Sequence, residues 1–263
     1  MILLTEGGNA IPDSQPVAKA DVPQVVDIAK RELPPSLLKN LHTDIGSAGY
    51  KVESGDIDLM VEAEDVVAVF KTQDQKDPVK AAKQSLAQFF SAKTIQAVPN
   101  GRNVSIGVAY TVGATGEQSL AQVDVMVIHD VGIVAPYHQH GPRGSYEDPD
   151  FKGSPIFILM NSIGKHLGLK FDAFGAKLMK RDDNTVVARD RDAVAKVLLN
   201  PAASGNDLNS VKSIMAALAN DPERDAKLAQ ARDDEKKGLI TLHESKVQPG
   251  SSVWFRQISG LFT

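Results

Sequence analysis

Hydrophobic and polar positions along the chain change period several times, and each change predicts an element. Asp21-Val-Pro-Gln-Val-Val-Asp-Ile-Ala-Lys30 carries apolar residues at helical spacing behind an Asp at the N-cap position, and Pro34-Pro35 stops it. After Gly55 the period drops to two. Asp56-Ile-Asp-Leu-Met-Val-Glu62 reads as a strand with Ile57, Leu59 and Val61 on one face. Residues 79–92 return to helical spacing. Asn103–Val112 is rich in β-branched residues and reads as a second strand, residues 113–116 as a turn, and Gln122-Val-Asp-Val-Met-Val-Ile128 as a third strand with strict alternation.

Beyond this point the texture changes. Residues 135–153 are dominated by Pro, Gly, His and Asp and read as a loop. Ser154-Pro155 is a helix start, and the helical pattern runs to His166. Further helices are predicted at residues 192–199, 207–219 and 223–237, and Trp254-Phe-Arg-Gln-Ile258 reads as a tail that docks back. The organisation predicted is an α+β half, residues 1–150, and a mostly helical half, residues 151–263.

Composition narrows this picture. At 263 residues, 42% hydrophobic and 24% charged, the chain has the balance of a globular protein with a buried core. No apolar run approaches the ~20 residues that cross a bilayer, so no membrane partner is expected. The opening Met1–Glu6 has no basic, apolar leader, which makes the cytoplasm the expected compartment. Cysteine is absent, which excludes disulfides, thiolate catalysis and zinc–sulfur sites. The net charge of −4 hides an asymmetry: residues 1–150 carry 12 Lys+Arg against 20 Asp+Glu, and residues 151–263 carry 17 against 13. An acidic half suits cations and a mildly basic half suits phosphate, although both charges also fit an ordinary solvated surface.

Candidate chemistry sits on the strands. Asp56 and Asp58 stand two residues apart, so both point to the face opposite Ile57, Leu59 and Val61. Asp124 likewise points away from Val123, Val125 and Val127. Side by side, these strands would bring three carboxylates together. Such a set suits Mg²⁺, a hard cation that takes oxygen ligands, and two-metal sites hold their ions about 3.5–4 Å apart. Upstream, Gly46-Ser47 precedes Asp56 by eight intervening residues. A Gly-Ser turn at that distance can offer N–H groups and a hydroxyl to a triphosphate.

The stretch Gly46-Ser-Ala-Gly-Tyr-Lys-Val-Glu-Ser-Gly-Asp-Ile-Asp-Leu59 resembles the active-site motif of the DNA polymerase β superfamily of nucleotidyltransferases, and Gln122-Val-Asp124-Val-Met matches its third Asp. More narrowly, Glu6-Gly-Gly-Asn9, the Ser-Gly-Asp-Ile-Asp-Leu core and Ser162-Ile-Gly-Lys-His-Leu-Gly168 resemble segments of phage-encoded nucleotidyltransferases. The superfamily motif covers only residues 45–60 and 122–127. The narrower likeness extends over most of the chain.

What the resemblance implies is a palm (a small mixed sheet with helices on one face) followed by a helical domain that closes a cleft. It implies an NTP substrate and two Mg²⁺ or Mn²⁺ ions as cofactors, held by Asp56, Asp58 and Asp124 in the catalytic role. Gly46 and Ser47 would bind the β and γ phosphates, with Lys51 nearby. Asn161, Ser162 and Lys165 would be candidates for base or phosphate contact. A phage origin would place the protein in the infected host cell. The acceptor stays open among RNA, DNA, protein and small molecules. Two rival readings also stay open: a catalytically idle fold used as a binding or virion-associated module, and a two-metal nuclease. A His129/His138/His140 cluster is a weaker candidate for a metal site than for a hydrogen-bonding loop. Arg143 and Lys152, in the same loop region, are candidates for a phosphate contact.

Overall fold

The computed structural model describes residues 10–138 and 154–242. The elements run β1 (Val17–Ala18), α1 (Val22–Glu32), β2 (Glu53–Ser54), β3 (Ile57–Glu62), α2 (Ala63–Phe70), α3 (Pro78–Ala92), β4 (Ala97–Asn100), β5 (Asn103–Thr111), β6 (Gln118–Ile128) and α4 (Val131–His138). They continue with α5 (Ser154–His166), β7 (Leu169–Asp172), β8 (Lys177–Lys180), β9 (Val186–Ala188), α6 (Arg191–Leu198), α7 (Val211–Ala217) and α8 (Arg224–Lys236). The class is mixed α+β. No described helix is long and apolar enough to cross a membrane.

The central sheet has the order β3-β6-β5-β4; β3 and β6 run parallel, and the other pairs are antiparallel. Strict alternation sorts its side chains. Ile57, Leu59, Val61, Val104, Ile106, Val108, Val123, Val125 and Val127 share one core with residues of α1, α2 and α3. Complete burial of a Val, Leu or Ile side chain stabilises by roughly 1.5–3 kcal/mol, so this face dictates the register.

The other face is divided along its length. Met60, Met126 and Ile128 join a second core built largely from α4 and the elements after it. Asp58, Ser105, Gln122 and Asp124 occupy the same face at the end nearer the start of β3, and Asn103 stands beside them, level with Met126. Thus helices do not cover one face alone, as the palm expectation had it: the C-terminal half covers the apolar end of the opposite face and leaves a polar end.

Several expected elements appear close to their predicted bounds: α1, α3, α5, α6 and α8, with β5 and a longer β6. Others differ for identifiable reasons. Asp21 stands at the N-cap of α1, but its carboxylate makes no cap bond. It accepts instead from Gly113 N at 3.1 Å and ties the helix start to the β5–β6 turn. The predicted helix over 207–219 is a 3₁₀ turn, Gly205–Leu208, followed by α7. Ser210 interrupts it because its hydroxyl accepts from Ser213 N at 2.9 Å, an N-cap inside the predicted span. Within residues 135–153, the described part, 135–138, ends α4 rather than starting a loop. Glu62 accepts from Asp130 N and Val131 N, both at 2.9 Å, and satisfies the free N–H groups at that helix start.

The C-terminal half also contains a three-stranded antiparallel sheet, β7-β8-β9, that a helical reading omits. Lys177-Leu-Met-Lys-Arg181 is part of it: Leu178 is fully buried while the flanking lysines stay outside. The Trp254–Ile258 tail lies outside the described residues.

Candidate carboxylate site

Residue register brings the first two carboxylates together. Asp58 on β3 is the direct partner of Asp124 on β6, and Asp124 is the direct partner of Ser105 on β5. Neighbouring strands lie about 4.7–4.9 Å apart, so side chains in one row stand next to each other. One row across three strands therefore reads Asp, Asp, Ser. Asp56 lies just before β3, and its charge is felt by Asp58.

Burial and like charge act together on Asp58. Desolvation, then Asp56, then Asp124 push its pKa from 3.8 up to about 7. All three causes favour the neutral carboxyl, so the site holds more negative charge than its surroundings stabilise.

Asp124 is buried, and both its oxygens are held. Gln122 Nε2 donates to Oδ1 at 3.0 Å and Asn103 Nδ2 donates to Oδ2 at 3.1 Å. Gln122 Oε1 in turn accepts from Ala10 N at 2.9 Å and Ile11 N at 3.1 Å. Gln122 and Asn103 are site residues that reading the sequence missed. Their signal was present: Gln122 sits two positions before Asp124 on the same strand, hence on the same face.

The Gly-Ser turn reaches this site from the outer edge of β3. His42 pairs with Met60 through two backbone bonds of 2.9 Å, and the chain then turns back over residues 46–51. Ser47 O accepts from Tyr50 N and Lys51 N, and Tyr50 Oη donates to Asp44 Oδ1 at 2.5 Å. Gly46 has φ +72°, and a Cβ there would stand 2.3 Å from Asp58 Oδ2. The backbone of Gly46 therefore lies against the carboxylate, and any other residue there would have to displace the Asp58 side chain as well as adopt a left-handed φ.

Gly49 offers an internal control. It also has positive φ, at +81°, but a Cβ there would meet only Val22 at an ordinary 3.7 Å. Gly49→Ala should cost about 1–2 kcal/mol from left-handed strain alone. Gly46→Ala should cost more in a urea melt, because the turn or Asp58 must also move. Equal losses would show that the Gly46–Asp58 approach relaxes freely.

The chemistry of these groups fits a divalent cation. The donors are all oxygens, which suits Mg²⁺ or Mn²⁺. Gathered carboxylates of one sign are stabilised by a cation, which reverses the balance that raises the Asp58 pKa. Ser105 Oγ is fully buried beside Asp124 without a hydrogen-bond partner among the described residues, and it is one more oxygen that a bound ion or its water could satisfy. Among the described residues, no three His, Asp or Glu groups converge tightly enough to hold an ion as they stand.

The remaining candidates lie elsewhere or are engaged in other contacts. Lys51 contributes its backbone N–H to the turn, and its side chain is exposed. Lys165 Nζ donates to Gln230 Oε1 on α8 at 2.6 Å. Ser162 Oγ donates to Asp234 Oδ2 at 2.7 Å, and the Asn161 amide bridges Phe157 O and the backbone of Phe171. The helix stripe expected to face a nucleotide is turned onto β7 and α8. His129 Nδ1 lies 2.6 Å from Glu64 Oε1, whereas His138 Nε2 lies 3.0 Å from Ala173 O, with its ring against Phe157 and Phe174. These two histidines have separate partners and form no cluster. His140, Arg143 and Lys152 lie outside the described residues.

No protein-family model matches the chain, and no curated protein is significantly similar to it.

Proposed function

We propose that this chain is a metal-dependent nucleotidyltransferase, transferring an NMP from an NTP to an acceptor hydroxyl with release of pyrophosphate. One observation carries the reading: Asp58 and Asp124 are register partners on a polar sheet end, with the Gly46 backbone pressed against Asp58. A carboxylate pair accounts for cations alone. The Gly46 N–H donates to His138 O at 3.2 Å, so a ligand at this close-packed turn is offered the Ser47 backbone and hydroxyl, groups that suit a triphosphate.

Asp56, Asp58 and Asp124 would hold two Mg²⁺ or Mn²⁺ ions. When bound, these supply charge stabilisation to the triphosphate and to the departing pyrophosphate. The protein does the rest by positioning. The turn at Gly46-Ser47 receives the β and γ phosphates, with the Ser47 hydroxyl as a donor. Asp124, held at both oxygens, orients the acceptor end and accepts the hydroxyl proton as general base. The acceptor oxygen bonds to the α-phosphorus while the bond from that phosphorus to the α,β-bridging oxygen breaks. Pyrophosphate leaves with that electron pair. This scheme assigns no step to Lys165, whose ammonium donates to Gln230 on α8.

The decisive experiment supplies each NTP in turn, with Mg²⁺ or Mn²⁺ and host extract, and measures pyrophosphate release together with label transfer. Release that depends on the protein, an NTP and a divalent ion supports the reading. A folded protein that binds NTP with the metal and releases nothing under all conditions would be an idle binding module. Strand cleavage without NTP would identify a nuclease.

Ser47 supplies a narrower test. Losing one hydrogen bond to a charged group costs about 1.5–3 kcal/mol, or roughly ten- to a hundredfold in affinity. Ser47→Ala should weaken Mg·NTP binding by that factor in calorimetry with an unchanged melting temperature. Wild-type affinity in the variant would assign the turn a structural role only.

A further inference from the structure

We infer that Gln122 and Asn103 are positioning residues for Asp124, and that the backbone of Ala10 and Ile11 sets the direction in which Gln122 acts. The inference rests on the nucleotidyltransferase reading and extends it to residues outside the carboxylate set. A carboxylate on a strand has two rotatable bonds. Asp124 has neither free, because each oxygen receives its own amide N–H, at 3.0 Å from Gln122 and 3.1 Å from Asn103. The two amides come from different strands, β6 and β5, so the carboxylate plane is held from two directions.

The Gln122 amide cannot be turned around. Its oxygen accepts from two backbone N–H groups, those of Ala10 and Ile11. Flipping the amide would set its NH₂ against those donors and its oxygen against Asp124 Oδ1, which amounts to three repulsive contacts in a buried place. The chain's early segment is fixed there in turn: Ile11 is 2% exposed, and Gly107 on β5 leaves room for it, since a Cβ there would lie 3.2 Å from Ile11 Cγ2. A relay therefore runs from Ala10 and Ile11 through Gln122 to Asp124. Residues that hold a ligating side chain in place typically govern metal affinity or activity by 10- to 100-fold.

Four variants of the full chain test this: Gln122→Leu, Gln122→Glu, Asn103→Ala and, as a packing control, Ile106→Val. The readouts are affinity for Mn²⁺ alone by calorimetry, kcat and KM for NTP, and the pH profile of kcat. Gln122→Leu keeps the volume and loses the amide. It should weaken Mn²⁺ binding or lower kcat by 10- to 100-fold, with little change in KM. Asn103→Ala should act in the same direction from a half-buried position, and it decides the matter if Gln122→Leu does not fold. Gln122→Glu still accepts from Ala10 and Ile11 but faces Asp124 with an oxygen, so the acidic limb of its pH profile should move to higher pH. Ile106→Val loosens the core on the opposite face of the sheet, touches none of these hydrogen bonds, and should leave Mn²⁺ affinity and the pH profile at wild-type values.

Wild-type Mn²⁺ affinity, kcat and pH profile in the Gln122 and Asn103 variants would overturn the inference. So would an Ile106→Val variant as impaired as Gln122→Leu, since general loosening would then explain both. If the wild-type protein turns over NTP and the variants match it, only the positioning role falls. If the wild-type protein binds no divalent ion, the nucleotidyltransferase reading falls and takes this one with it.

Discussion

Asp124→Asn should bind Mg·NTP nearly as well as wild type and release pyrophosphate at least about a hundredfold more slowly, the lower end of what a positioned acid–base group contributes. The substitution keeps size and shape. It removes one negative charge from a row in which Asp58 already resists ionisation because of burial first, and then of Asp56 and Asp124. The charge around the triphosphate is thus less crowded, and Asp56 and Asp58 still bind it. The loss falls on the acceptor side.

Hydrogen bonding adds to this loss. Two NH₂ donors, from Gln122 and Asn103, converge on the Asp124 oxygens. An Asn can accept from only one of them and must oppose its own NH₂ to the other. A modest drop in melting temperature should accompany the kinetic effect. The assay is pyrophosphate release by both proteins, with Mg·NTP affinity measured on the same samples. A variant that keeps wild-type turnover would remove Asp124 from the reaction. Loss of NTP binding in step with turnover would place Asp124 in ground-state binding instead.

The part of this site visible in the sequence was the part governed by period. Alternation at Ile57/Leu59/Val61 and Val123/Val125/Val127 is enough by itself to separate apolar from acidic faces. It could not supply the strand order, because which strand pairs with which depends on contacts far apart along the chain. The Asp58–Asp124 register spans residues separated by two helices and two strands. The close approach of Gly46 was visible only as a Gly-Ser spacing, since positive φ and distance to Asp58 are tertiary facts. Gln122 was hidden by the strictness of its own strand pattern: one polar residue on an alternating strand looks like solvent exposure, yet it is 2% exposed. The β7-β8-β9 sheet was masked by lysines at 170, 177 and 180 alternating with buried Leu169, Phe171 and Leu178. Lys165 looked functional on a helical wheel, which shows spacing and not which neighbour a face meets.

Asp58 should make the metal-free protein less stable as pH rises from about 4 to 7, the reverse of what an ordinary ion-paired carboxylate does. Its carboxyl ionises near 3.8 in the unfolded chain and at about 7 in the folded one. Below pH 4 both states are protonated and the contribution is fully present. Between these values the folded state binds more protons than the unfolded state, so stability falls as pH rises. Above pH 7 both states are ionised and the loss is complete. In EDTA, Asp58→Asn stays neutral throughout. It should match or exceed wild type at pH 8 by on the order of a few kcal/mol, read as roughly 2–4 °C of melting temperature per kcal/mol for a chain of this size. Other carboxylates titrate in both proteins, so the quantity to follow is wild type minus variant. Mg²⁺ or Mn²⁺ at pH 8 should raise the melting temperature of wild type and leave Asp58→Asn nearly unmoved, because a ligated carboxylate is stable in its charged form. A wild-type-minus-variant difference that stays flat from pH 4 to 8 in EDTA would mean that Asp58 is well solvated when ionised. The electrostatic argument for a cation at this site would then fall with it.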